Sequence, residues 1–235
     1  MGKDKITAIV LAAGQGKRMN SEVAKQYLML KAKPVLYYSL KTFEDSLVDD
    51  IILVVGADDI DYVRKQIVEA YDFKKVTHII AGGKERYNSV YNALESITDT
   101  NYVLIHDGAR PFVTDEIVDR VIKNVIDLKA CVVGMPAKDT IKIADEDGYV
   151  YDTPSRANLW MIQTPQAFEY GMIKKAYDMI MKEDNIQVTD DAMVLEYTLG
   201  YPIKLIKGSY QNIKITTPED INISQMLLSN RDGNS

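Results

Sequence analysis

Short apolar runs alternate with amphipathic stretches along most of this 235-residue chain, and that alternation restricts the fold more than any other feature. Ile6–Leu11, Ile51–Val55, Val76–Ile80, Tyr102–His106 and Ala130–Met135 are apolar runs that read as buried strands. Between them Val35–Glu44, Ile60–Tyr71, Lys84–Ile97 and Thr114–Leu128 carry helical spacing. Such alternation implies an α/β, Rossmann-like fold: a mostly parallel sheet with helices on both faces. Thr114, Thr189 and Thr217 each precede acidic residues in a first helical turn, and Pro218 suits the first helical position. Gly200 suits the end of the helix that Thr189 begins.

The alternation breaks after Pro136. Lys138–Thr153 reads as a polar β-hairpin turning at Asp147-Gly148. A two-stranded ribbon is not stable alone in water, so it packs on something, either a second copy of the chain or its own domain. Trp160–Phe168 then returns to the core. Two helices, a strand at Ile203–Lys207 and a last helix to about Leu228 complete the chain. No linker divides it. Residues 1–228 are expected to form one domain with an arm at about 138–156, and 229–235 a frayed tail.

Composition excludes several functions. A net charge of −6 argues against a general nucleic-acid or membrane-surface binder, so any anionic ligand is held by a local group of cations. The single cysteine, Cys131, excludes an internal disulfide and fits a reducing, cytoplasmic setting. Its apolar surroundings make it a small core residue. No apolar stretch is long enough to span a bilayer, and Met1–Lys5 lacks a signal core.

The first strand runs into Ala12-Ala13-Gly14-Gln15-Gly16-Lys17-Arg18-Met19, with Lys25-Gln26-Tyr27 just beyond. Small residues let backbone N–H groups approach a ligand, and the cations Lys17, Arg18 and Lys25 suit phosphate. Met19 stands where a dinucleotide fingerprint needs its third glycine, the second strand runs into Gly56-Ala57 rather than an acid, and no P-loop pattern occurs. Gly82-Gly83, with Ser89 six residues on, forms a second small-residue loop at the same sheet edge, suited either to reading a base or to serving as an ordinary βα connection. Asp107, in His106-Asp107-Gly108-Ala109-Arg110-Pro111, ends a central strand where ligands bind in such sheets. A carboxylate there needs a cation, either Arg110 or the Mg²⁺ of a bound triphosphate. His106 reads as a satisfied core residue. Lys214 and Arg156 are each either phosphate ligands or solvated cations.

In sequence order, the two loops, His106–Pro111, Lys138-Asp139-Thr140, Gln163-Thr164-Pro165-Gln166, Thr189-Asp190-Asp191-Ala192 and Asn212-Ile213-Lys214 resemble the 2-C-methyl-D-erythritol 4-phosphate cytidylyltransferases over nearly the whole chain. The resemblance implies a glycosyltransferase-A-like nucleotidyltransferase fold and a homodimer joined by the arm. It implies Mg²⁺-dependent transfer of CMP from CTP to a sugar-alcohol phosphate, with release of diphosphate. Arg18 and Lys25 would stabilise the transition state. Arg156, Lys214, Thr140, Arg110 and Thr164 would position the acceptor, with Thr140 and Arg156 serving the neighbouring subunit. Ala12, Ala13, Gly14, Gln15, Gly16, Lys17, Gly83, Ser89, Asp107 and Gly108 would hold CTP, with Asp107 also the metal ligand. Two positions depart from the family pattern: Ala24 replaces the usual proline before the catalytic lysine, and Lys84 replaces the acid that often follows Gly-Gly. The alternatives are a ribitol-5-phosphate cytidylyltransferase and, from another class, a non-catalytic nucleotide-binding module. The first more often has Ser-Val-Arg-Pro where this chain has Gly108–Pro111; retention of Arg18, Lys25 and Lys214 disfavours the second.

Overall fold

The computed structural model describes residues 4–14, 24–184 and 187–232. The strands are β1 (Ile6–Ala12), β2 (Met29–Leu30), β3 (Lys33–Pro34), β4 (Asp50–Val55), β5 (Val76–Ala81), β6 (Tyr102–Asp107), β7 (Ala130–Pro136), β8 (Ile143–Ala144), β9 (Val150–Asp152), β10 (Trp160–Glu169) and β11 (Lys204–Lys207). The helices are α1 (Val35–Asp45), α2 (Ile60–Val63), α3 (Arg86–Ser96), α4 (Asp115–Leu128), α5 (Tyr170–Ile180), α6 (Asp191–Leu199) and α7 (Pro218–Asp232).

Seven strands form one sheet in the order β11-β7-β10-β6-β1-β4-β5. All neighbours are parallel except β10, which runs antiparallel to both β6 and β7. The alternation of β1 divides the core. Ala8, Val10 and Ala12 pack with Leu36, Leu40 and Phe43 of α1 and Val118 and Val121 of α4. Ile9 faces the other way, into a cluster with Val90 and Leu94 of α3 and Ile173 and Tyr177 of α5. Both faces are therefore covered, as a parallel sheet requires. A smaller cluster of Leu30, Val35, Phe112, Ile215 and Leu228 seats α7.

Several elements differ from expectation. The stretch read as one helix over Ile60–Tyr71 begins as α2 and widens into a π-helix over Arg64–Glu69. Thr114 caps α4 without a side-chain hydrogen bond, its carbonyl instead accepting from the amides of Ile117 and Val118. The cap of α6 is Asp190 rather than Thr189: its carboxylate accepts from the amide of Met193. Gly200 closes that helix with φ of 59°. α7 continues past Leu228 to Asp232, so the first part of the expected tail is helical.

Strands β8 and β9 form the expected hairpin, with Gly148 at φ of 86° and the Asp145 carboxylate accepting from the amides of Asp147 and Tyr149. The arm is less polar than expected. Tyr149 is 74% exposed, Tyr151 69% and Val150 54%, and Ile141 and Ile143 are exposed beside them.

Candidate active site

Strands β1 and β6 are paired so that Leu11 lies opposite Asp107, which brings the first loop and the acid to the same sheet edge. The Gly82-Gly83 loop leaves β5 at that edge, beyond β4. A Cβ on Gly82 would run into the Cβ of Ala13, and one on Gly83 into that of Asn88. Glycine at 82 lets the two loops approach, and glycine at 83 lets its own loop fold onto the start of α3. The hydroxyl of Ser89 accepts from the Gly83 amide at 3.0 Å and donates to the Glu85 carbonyl at 3.2 Å. It thus holds the loop.

A cavity of about 590 Å³ opens between these loops. Of the expected nucleotide-binding residues, Ala12, Ala13, Gly14, Gly83, Ser89 and Asp107 line it, together with Lys25 and Lys214. Gln15, Gly16, Lys17 and Arg18 lie outside the described residues. Lys84, Glu85, Arg86 and Gln26 complete its polar wall.

Asp107 is the electrostatic centre. Its carboxylate is almost wholly buried, with Arg86 Nε at 3.2 Å from Oδ1, and Lys214 Nζ at 2.7 Å and Arg110 Nε at 3.9 Å from Oδ2. Burial opposes its ionisation, but Arg86, Lys214 and Arg110 outweigh that and hold the carboxyl well below the usual carboxylate range. The expected single partner, Arg110, is thus one of three. The Asp107 amide donates to Thr164 Oγ1 at 3.1 Å, and that hydroxyl lies 3.0 Å from His106 Nδ1. His106 is fully buried, and burial, with Arg110 adding to it, pushes its pKa down to about 4. A neutral imidazole carrying its proton on Nε2, 3.3 Å from the Arg110 carbonyl, accepts from Thr164 at Nδ1. His106 is therefore the satisfied core residue expected.

Arg110 and Thr164 sit behind the cavity wall. Arg110 donates to the Asn212 carbonyl at 2.8 Å, while Asn212 Nδ2 donates to the Thr164 carbonyl at 3.0 Å. The Ile215 amide donates to the Ala109 carbonyl at 2.9 Å. These bonds fix the segment that presents Lys214. Gly108, also behind the wall, donates its amide to the Leu11 carbonyl. Thr140 and Arg156 do not reach this cavity in their own chain: both are exposed on the arm, where Arg156 donates to the Lys138 carbonyl at 2.6 Å.

Lys25 opens a 3₁₀ turn over Lys25–Tyr27 and donates to the Ile215 carbonyl at 2.9 Å. Ala24 before it has φ of −60° and ψ of 137°, the backbone that proline would impose, so its substitution leaves the local path unchanged. Gln26, 2% exposed, donates to the Ala12 carbonyl at 2.6 Å and ties this turn to the end of β1. Sequence reasoning missed Gln26 and Arg86. Arg86 grips Asp191 with both terminal nitrogens, at 2.9 and 2.7 Å, while its Nε serves Asp107. Both residues stood inside noted motifs, but a motif does not say which of its members pair.

Among the described residues no group of three or more His, Cys, Asp or Glu side chains is arranged to hold a metal. Asp107 presents its carboxylate at the ligand edge, but Arg86 and Lys214 already occupy its two oxygens, so an ion held there together with a bound triphosphate would displace one of these cations. The Cys131 thiol, pushed up to about 12 by burial, takes no part.

Residues 6–230 match the family model IspD, 2-C-methyl-D-erythritol 4-phosphate cytidylyltransferase. The chain belongs to that family. It is 55% identical to the 2-C-methyl-D-erythritol 4-phosphate cytidylyltransferase of Lachnoclostridium phytofermentans, an alignment covering 96% of this chain and 97% of the relative. With the same-named protein of Alkaliphilus oremlandii it shares 46% identity over 97% and 96%. The crystal structure of 4-diphosphocytidyl-2C-methyl-D-erythritol synthase from Anaerococcus prevotii superposes with a TM-score of 0.85 at 35% identity, covering 96% of each chain. The chain is thus a nucleotidyltransferase, a cytidylyltransferase acting on 2-C-methyl-D-erythritol 4-phosphate. The comparisons support that activity over the ribitol phosphate and non-catalytic alternatives. The fold expected from the sequence, a mostly parallel sheet with a protruding hairpin, is the fold observed. Among the described residues no helix is long and apolar enough to cross a membrane.

Proposed function

We propose that cytidylyl transfer takes place in this cavity, between CTP on the two glycine loops and 2-C-methyl-D-erythritol 4-phosphate beside Lys214. The observation that carries this reading is the gathering of Lys25, Arg86 and Lys214 on the wall of one cavity, with Arg86 and Lys214 paired to a buried carboxylate, Asp107, at the ligand edge of the sheet. A phosphate monoester oxygen of the acceptor attacks the α-phosphorus of CTP, and the bond from that phosphorus to the β-phosphate bridging oxygen breaks. Near neutral pH the attacking oxygen is already anionic, so no strong general base is required. The difficulty lies in bringing two polyanions together, which cations answer by positioning and electrostatics. In this reading Lys25 and Arg18 stabilise the charge that develops at the α-phosphate. Lys214 receives the acceptor phosphate. Asp107 and the triphosphate would hold Mg²⁺, which would supply further neutralisation.

Thr140 and Arg156 enter through assembly. The arm exposes Tyr149, Val150 and Tyr151, which its own chain leaves bare. We infer that a second copy covers this surface, and that Thr140 and Arg156 of one subunit complete the acceptor site of its partner in a cytoplasmic homodimer. Diphosphate release from CTP, Mg²⁺ and 2-C-methyl-D-erythritol 4-phosphate tests the reaction. A Lys25→Ala enzyme with wild-type turnover would remove the reaction from this cavity.

A further inference from the structure

The geometry points to Asp191 as a positioning residue for cytidylyl transfer: wholly buried, it acts on the cavity through Arg86, whose remaining nitrogen orients Asp107. Asp191 has no exposed surface and is not among the residues that line the cavity. Its carboxylate accepts Arg86 Nη1 at 2.9 Å and Nη2 at 2.7 Å, and the Tyr177 hydroxyl at 2.7 Å.

The carboxylate cannot drift, because its backbone is pinned. The amides of Asp191 and Ala192 both donate to Gln166 Oε1 at 3.0 Å, and Gln166 Nε2 donates to Asp190 at 2.9 Å. Helix α6 is thereby fixed to β10, the strand that also supplies Thr164 to the Asp107 amide. A forked, bidentate pair fixes the guanidinium plane. Arg86 Nε then has one direction left, toward Asp107 Oδ1, while Lys214 takes Oδ2. Each oxygen of Asp107 carries its own cation, so rotation of the carboxylate breaks a contact. A buried ion pair that served only to dock a helix is often replaceable by apolar side chains at no loss. What this pair adds is a third guanidinium nitrogen turned into the cavity.

Asp191→Asn keeps the shape but presents one N–H to Arg86 in place of an acceptor, which releases the guanidinium plane. The test compares wild type, Asp191→Asn, Arg86→Lys and the double variant, with kcat and both KM values expressed per folded enzyme. Asp191→Asn is expected to lower kcat about ten- to hundredfold, the scale on which small misplacements act. KM for CTP should stay within about threefold. A residue that merely held the fold together would reduce the folded fraction and leave kcat per folded molecule unchanged. The double variant should be no slower than Arg86→Lys alone, since Asp191 acts only through Arg86. A kcat within about twofold of wild type in Asp191→Asn, or multiplicative losses in the double variant, would overturn the proposal. Should Asp191→Asn not fold, Tyr177→Phe removes one contact to the same carboxylate: a several-fold fall in kcat supports the proposal, and wild-type kcat overturns it. The proposal rests on the reaction occurring in this cavity. Wild-type turnover in Lys25→Ala would fell that reading, whereas an inactive Lys25→Ala beside a fully active Asp191→Asn fells only this one.

Discussion

Lys25 donates from Nζ to the carbonyl of Ile215, the residue next to Lys214, at 2.9 Å. Two segments far apart in sequence, each carrying a cation, are thus tied by a hydrogen bond that holds the lysine of the first beside the stretch that presents the second. Removing Lys25 should lower kcat on the order of a hundredfold or more, as loss of a preorganised electrostatic donor does. CTP affinity should fall much less. Steady-state kinetics with a separate nucleotide-binding titration checks both, and Arg18→Ala should behave alike.

The arm makes a prediction about mixed subunits. Arg156→Ala and Lys214→Ala enzymes are each expected to be inactive. After subunit exchange, heterodimers hold one site with both native residues, and activity should return. Absence of recovery despite demonstrated exchange would mean that the arm does not serve its neighbour.

His106 gives the fold an acid sensitivity. Its pKa is pushed down from 6.5 to about 4, so the unfolded chain takes up its proton first as the pH drops. The stability contributed by the neutral ring is therefore complete above pH 6.5 and lost between about 6.5 and 4, amounting to about 3 kcal/mol in all. Urea melts at about pH 7, 5.5 and 4.5 should follow this decline. His106→Gln, which has no proton to gain, should show a flatter profile over the same window.

Gly82 offers a steric test. An added Cβ meets the Cβ of Ala13 and lies 2.9 Å from Ser89 Oγ, so the two loops must separate. Gly82→Ala should raise KM for CTP at least about tenfold, with an overpacking cost of about 1–3 kcal/mol in stability. Calorimetry and initial rates on the same preparation distinguish the two effects.

How far the chain could be read depended on the range of the forces involved. The parallel strands were legible because each is a contiguous apolar run, and their carboxyl ends carry the loops and Asp107. The π-helical widening of Arg64–Glu69 was not, since it leaves the hydrophobic spacing nearly unaltered. Arg110 and Asp107 lie three residues apart, and their proximity could be inferred. Arg86 and Asp191 lie 105 residues apart, and nothing local to either names the other. The expected cap of α6, Thr189, gives way to Asp190 for a related reason: both residue types suit the role, and Asp190 also accepts a hydrogen bond from the distant Gln166.

The reversal of β10 has an architectural consequence. Because it runs against β7, with Trp160 opposite Pro136, the chain leaves and re-enters the sheet at the same edge, the edge that carries the cavity. A parallel β10 would have needed its connecting segment to carry the chain back across the whole sheet, as a covering helix. Running one strand backwards instead leaves residues 137–159 without that duty, as an extension rooted beside the cavity. One inverted strand thus converts what would be internal wiring into a limb.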